Sequence, residues 1–323
     1  MEDEFSGFHP VINFIYFLFV LIVSMFFTHP VILAIMLFSG MVYSTYLNGW
    51  KKTLKFNFLF MLPMLFIVAL INPMFNHAGV TILFYLDNGN PITLESIVYG
   101  VILAVMLMTV ITWFSCYNRI MTSDKFIYLF GRVIPALSLI LSMVLRLVPK
   151  FKAQLKVITD GQKCIGRDPG SGNIIQRAKN GIHILSIMIT WSLENAIDTA
   201  DSMKARGYGL KGRSAFSIYR FDKRDGGIMA LMLMLAMLFA YGIYMGNGFA
   251  QYNPVIVING LSPLTLSSLI TFGSALVFAW LPLLINIYYR LKWKYFMRML
   301  SEQKAVSKLH VNRKEALAID RNC

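Results

Sequence analysis

Apolar residues fall in six long runs along the chain, at positions 11–27, 31–47, 56–71, 97–114, 228–245 and 264–289. Most of these runs come close to the ~20 residues that an α-helix needs to cross a hydrocarbon core of ~30 Å. Six spanning helices are therefore expected. About 110 residues lie between the fourth and fifth runs, too many for a connection without structure of its own. There the pattern changes. Val133, Leu137, Leu141, Val144 and Val148 recur every three or four residues, the period of one helix face. Ile182, Leu185, Ile189, Leu193, Ala196, Ala200 and Met203 repeat that period more strictly, with Glu194, Asp198 and Asp201 on a neighbouring strip.

Composition fits a membrane protein. Hydrophobic residues make up 57% of the 323 and charged residues 14%, with a mean hydropathy of +0.60. No ordinary soluble core needs that much apolar surface. The net charge of +14 is informative through its placement. Of the 30 Lys and Arg, three (Lys51, Lys52, Lys55) lie between the second and third runs, eighteen between the fourth and fifth, and nine after the sixth. Segments 72–96 and 246–262 and the His29-Pro30 turn contain none. By the positive-inside rule both termini and the long middle region are cytoplasmic, in a multi-pass protein of the bacterial cytoplasmic membrane. The basic charge encodes topology and attraction to anionic lipid. No aromatic-interleaved basic module points to nucleic acid.

Positions 134–148 and 182–193 are hydrophobic enough to cross as well, but two further crossings would place Lys150, Lys152, Lys156, Lys163, Arg167, Arg177 and Lys179 outside. That inverts the usual charge bias. The two stretches are expected instead as long amphipathic helices at the inner face. The fold class is all-α: a polytopic membrane protein with about six transmembrane helices and two long cytoplasmic amphipathic helices. Pro149 should kink the first of the two by removing a backbone donor, and residues 166–172, rich in Gly and Pro, should end its basic arm near Cys164. The second should start near Ile174 and stop at Gly207. Four regions follow: a membrane part of four spans at 1–116, the cytoplasmic helices at 117–227, two further spans at 228–290, and a basic tail at 291–323 that is helical at first and then frays. Acidic residues rather than a basic region precede the first run and no small-residue cleavage site follows it, so it is expected to persist rather than act as a signal peptide.

The candidate chemistry is sparse. Gly207-Tyr208-Gly209-Leu210-Lys211-Gly212 fits G-x-G-x-x-G, but a dinucleotide site must follow a strand and open a helix. Here the glycines follow a helix and read as its C-cap. No G-x-x-x-x-G-K-[ST] occurs, so the chain lacks a standard ATP cradle of its own. Arg206 closes the second helix between Ala205 and Gly207. A guanidinium fork on so slim a tip can enter a groove and bind a carboxylate through two parallel hydrogen bonds. Glu194, Asp198 and Asp201 lack a histidine at matching spacing and are expected to form ion pairs with Arg146 and Lys150 of the crossing helix. Ser192, Ala196 and Ala200 would permit a close crossing. Cys116, Cys164 and Cys323 and the five histidines are scattered, supporting neither disulfide nor zinc site. No cofactor is expected. The spans contain no Asp, Glu, Lys, Arg or His, which argues against a proton-coupled pump.

The chain resembles the T component of energy-coupling-factor (ECF) transporters, the CbiQ/EcfT family. Residues Asp201 to Gly209 with Ala205-Arg206-Gly207 carry the resemblance, together with Arg146-Leu147-Val148-Pro149, Trp191-Ser192-Leu193-Glu194 and the segments 72–77 and 89–96. It extends over roughly residues 10–290. The resemblance implies a non-catalytic scaffold of an importer for vitamins or for metal ions such as cobalt or nickel. It also implies three partners: two cytoplasmic ABC ATPase subunits that hydrolyse the ATP, and a substrate-binding S component in the membrane. In that family two coupling helices end in Ala-Arg-Gly-like motifs that dock on the ATPases. Here Ala205, Arg206 and Gly207 form one, and Gly166 and Arg167, in Gly166-Arg167-Asp168, stand where the other is expected. The competing readings are a stand-alone secondary transporter or channel, and a membrane enzyme.

Overall fold

The computed structural model describes residues 3–85, 89–131, 135–208, 219–261 and 265–320, and for 135–139 and 301–320 only the backbone. The chain divides into two compact units, Met1–Thr122 with Phe221–Cys323, and Ser123–Arg220.

The larger unit opens with a 3-10 turn, Glu4–Gly7, followed by α1 (Pro10–Phe26) and α2 (Pro30–Asn48). Both helices begin on proline, whose missing N–H costs nothing at a helix start. The helix α3 (Trp50–Phe56) runs through a π-helical turn at Asn57–Met61 into α4 (Leu62–Phe75). A hairpin of β1 (Ile82–Tyr85) and β2 (Pro91–Thr93) leads to α5 (Leu94–Ile120). The unit resumes with α9 (Lys223–Tyr244), a second hairpin of β3 (Ala250–Gln251) and β4 (Val257–Ile258), and α10 (Leu266–Asp320). Among the described residues five helical stretches are long and apolar enough to cross a membrane: Pro30–Asn48, Trp50–Phe75, Leu94–Ile120, Lys223–Tyr244 and Leu266–Leu300. The remaining expected span, α1, is apolar but has only 17 residues. The hairpins fall in the two connections that carry no basic residue. The backbone of the tail does not fray but stays helical to Asp320.

Aromatic residues fill the centre of this unit. The ring of Tyr16 stacks on Phe278 at 5.4 Å, and its hydroxyl donates to the carbonyl of Ala279 at 3.0 Å. Trp113, wholly buried, donates from Nε1 to the carbonyl of Met36 at 3.0 Å. Both side chains find an internal partner for their polar tips, as they must where no water is at hand. The indole lies so close to α2 that a Cβ at Gly40 would come within 3.0 Å of Nε1. Ahead of α1, the Asp3 carboxylate accepts from the Ser6 N–H at 3.1 Å and from the Tyr43 hydroxyl at 3.2 Å. It also accepts from the Asn286 amide. Asn286 in turn accepts from the Glu4 N–H at 2.8 Å. With Phe5 and Phe8 buried, residues 3–8 close one end of the helix bundle.

The smaller unit is α6 (Ser123–Gly131), α7 (Pro135–Cys164) and α8 (Ile174–Ala205). The helix α7 runs unbroken through Pro149. Its end at Cys164 and the α8 bounds agree with the break at 166–172 and the stop at Gly207 read from the sequence.

Candidate docking site at the ends of α7 and α8

Both long helices stop by the same device. At the end of α8 the Gly207 N–H donates to Lys204 and the Tyr208 N–H to Met203, at 2.9 and 3.0 Å. At the end of α7 the Gly166 N–H donates to Lys163 and the Arg167 N–H to Gln162, at 3.0 and 2.9 Å. These crossed bonds are a Schellman cap, which needs a left-handed residue just past the helix. Gly207 and Gly166 supply it, with φ of 75° and 78°.

Counted from the left-handed glycine, the two ends differ. Arg206 precedes its glycine, whereas Arg167 follows its own; the positional counterpart of Ala205-Arg206-Gly207 is Cys164-Ile165-Gly166. Arg206 is exposed, and among the described residues its guanidinium has no hydrogen-bond or ion-pair partner. Arg167 is engaged: its Nη1 donates to His183 Nε2 on α8 at 2.9 Å. The turn between them is tied down further. Asp168 accepts from the Gly170 N–H through Oδ1 at 2.9 Å and from the Asn180 amide through its carbonyl at 3.1 Å. Arg177 Nε donates to the Pro169 carbonyl at 3.1 Å, and Asn173 caps α8 through its side chain.

The crossing of α7 and α8 rests on other residues than the periodicity suggests. Phe151 meets Trp191 edge to face at 5.6 Å. Lys150 Nζ lies 5.6 Å from the same indole and donates to Asn195 Oδ1 at 2.5 Å. Among the described residues no ion pair within 4.0 Å joins Arg146 or Lys150 to Glu194, Asp198 or Asp201; the one such pair is Arg224 with Asp225. The amide of Asn195 takes the ammonium that the carboxylates of Glu194, Asp198 and Asp201 were expected to share with Arg146, because Asn195 and Trp191, one turn apart, face α7 together. Glu194 lines a shallow depression of about 320 Å³ with Ser186, Ile187, Thr190 and Trp191. Ala196 and Ala200 are exposed, so they play no part in a close crossing.

The inward face of α8 consists of Ile184, Ile187, Met188, Trp191 and Asn195, buried or half-buried. The stripe of Ile182, Leu185, Ile189 and Leu193 is left 58–67% exposed. An apolar stripe of this length on a soluble-looking helix marks a surface for a partner or a membrane. No residue spacing pointed to His183 as the anchor of Arg167, because only the 165–173 turn brings residues 167 and 183 together.

A bundle of apolar helices long enough to span a bilayer, joined to a separate pair of amphipathic helices with capped tips, defines a polytopic membrane protein. The sequence matches the family described as CbiQ, cobalt transport protein, over residues 7–218. The chain belongs to this family, the transmembrane T components of ECF transporters. It is 36% identical over 107 residues to the energy-coupling factor transporter transmembrane protein EcfT of Lacticaseibacillus paracasei, covering 32% of this chain and 40% of that one. It is 32% identical over 103 residues to the EcfT of Lactococcus lactis, covering 32% and 39%. With the EcfT of Acidaminococcus fermentans it shares 29% identity over 161 residues, 46% of this chain and 60% of that one. The matched regions thus span about two fifths to three fifths of these relatives.

Proposed function

We propose that the chain couples ATP hydrolysis in two cytoplasmic ABC ATPase subunits to movement of a separate substrate-binding membrane subunit, importing a vitamin or a metal ion. The observation that supports this reading is the tip of α8, where Arg206 stands exposed beside a left-handed glycine and has no partner among the described residues. An exposed Arg with no internal partner is free to form a bidentate pair with a carboxylate in a partner's groove. Ala205 and Gly207 keep the tip narrow. The exposed stripe on α8 supplies an apolar surface on the same helix. Gly166 and Arg167 form the second, weaker docking point, since Arg167 must first leave His183. Hydrolysis belongs to the partners and the chain itself is non-catalytic. In this reading both termini and the unit of α6 to α8 are cytoplasmic, in the bacterial inner membrane.

The test is charge reversal at the tip. Arg206→Glu should abolish co-purification of the ATPase pair and ATP-driven uptake in cells expressing the full complex. Undiminished uptake overturns the assignment, and uptake by the purified chain alone in liposomes would establish a stand-alone transporter instead.

A further inference from the structure

The larger unit has a groove along α9 and α10 that the coupling reading does not use. Its walls are apolar, formed by residues such as Gly227 and Leu231 on α9 and Leu281 and Leu284 on α10, with a volume of about 420 Å³. One end is polar, where Lys223, Arg224, Tyr288 and Tyr289 close it. Lining residues Val277 and Tyr288 are eleven positions apart on α10, about 16 Å of helix. That is close to half of a ~30 Å hydrocarbon core, the depth of one leaflet. A groove that runs from a membrane interface to the midplane and is open to the side matches an acyl chain.

We propose that this groove holds one anionic phospholipid, its acyl chain along α9 and α10 and its phosphate at Lys223 and Lys292. Lys223 is the first residue of α9, so the positive end of the helix dipole adds to its charge. Lys292 follows Tyr288 by four positions, which places it on the groove-facing side of α10 one turn beyond the tyrosines. Both lysines are exposed, and neither has a partner among the described residues. The neighbouring charges are already committed. Arg224 lies over the Phe8 ring at 4.2 Å, and its Nη2 donates to the Gly7 carbonyl at 3.4 Å. Asp222 and Asp225 close the capping box of α9, and Asp225 is buried. Two uncommitted ammonium groups over an apolar slot select a lipid with net negative charge over a zwitterionic one.

The probe is native mass spectrometry of the purified full chain, titrated with palmitoyl-oleoyl phosphatidylglycerol or with phosphatidylcholine of the same acyl chains. Phosphatidylglycerol should be retained preferentially, and Lys223→Gln and Lys292→Gln should each weaken it about fivefold, the factor for about 1 kcal/mol per basic side chain at an anionic surface. Gly227→Leu is the second arm. A Cβ at Gly227 meets nothing within 4 Å, so a leucine there fills the groove while favouring the helix. It should lower retention of both lipids without lowering the melting temperature. Free glycerol phosphate should not compete. Equal retention of the two lipids, indifference to both lysine variants, or retention undiminished by Gly227→Leu overturns the proposal, as does a polypeptide found in the groove in place of lipid.

Discussion

Arg167 Nη1 lies 2.9 Å from His183 Nε2, so the guanidinium at the end of α7 is held by α8, the helix that follows it. A guanidinium only donates, which makes His183 the acceptor through an unprotonated Nε2. Among the described residues no such tie restrains Arg206. The two tips are therefore inequivalent: one guanidinium is bonded to a neighbouring helix, and the other has no such bond among the described residues.

Charge reversal should expose that inequivalence. Arg206→Glu is expected to remove ATPase co-purification, and Arg167→Glu to weaken it severalfold at most. His183→Ala frees Arg167 and should strengthen the contact or leave it unchanged. Pull-down of the ATPase pair by each variant at matched expression is the measurement, and equal losses for Arg206→Glu and Arg167→Glu would show that the tips act alike.

Glycine substitutions should move stability in opposite directions according to φ. Gly166 sits at φ 78° with open space around its missing Cβ, so Gly166→Ala carries only the left-handed backbone penalty, about 1 to 2 kcal/mol. Gly161 lies inside α7 with nothing within 4 Å of a Cβ, and Gly161→Ala should stabilise by roughly 0.5 to 1 kcal/mol. Thermal unfolding in detergent should rank them Gly161→Ala, wild type, Gly166→Ala.

The α9–α10 packing offers a second contrast. A Cβ at Gly242 would fall on the Thr271 hydroxyl and come within 2.7 Å of Thr271 Cβ, so Gly242→Ala must push the helices apart. Overpacking of this kind costs about 1 to 3 kcal/mol. Gly273, also helical but with nothing within 4 Å, should accept alanine without loss. Melting temperatures of the two variants would decide it.

The α7–α8 crossing should depend on its aromatic pair rather than on acidic residues. Trp191→Ala removes the contacts with Phe151 and Lys150 and is expected to increase proteolytic nicking of the 165–173 turn. Glu194→Gln should leave it unchanged, because no cation lies within 4.0 Å of that carboxylate among the described residues.

Stability should fall in mild acid because of His29. Its ring is buried and its Nε2 lies 3.1 Å from the Asn259 carbonyl, which requires the N–H on Nε2 and leaves Nδ1 without a partner among the described residues. Burial lowers its pKa, opposed by the bond to Asn259. The folded state therefore disfavours the proton that the unfolded chain takes up near the ordinary value of 6.5. The stabilisation is complete above that value and is lost as pH falls through the lower folded value. His29→Gln should flatten the pH dependence of the melting temperature between pH 7 and 5.

The elements most legible in the sequence were those governed by local rules. Runs of apolar residues mark the helices long enough to cross a membrane, because transfer of charge into lipid is costly at any position in any fold. The stops at Gly166 and Gly207 follow from backbone sterics, which depend on no neighbour. The interior of each unit could not be read this way. Helical periodicity marks an apolar stripe on α8, but which stripe faces inward depends on where α7 lies, and the chain half-buries Trp191 and Asn195 while leaving Ile182, Leu185, Ile189 and Leu193 exposed. Charges spaced along α8 suggest ion pairs with α7, yet side-chain direction at the crossing gives Lys150 to Asn195. The docking of Asp3 against Tyr43 and Asn286 and the capture of Arg167 by His183 join residues through turns whose closure no spacing encodes. Local backbone preference and the cost of moving charge into lipid act on each segment alone and are written in it; pairing between segments is decided only when the helices pack.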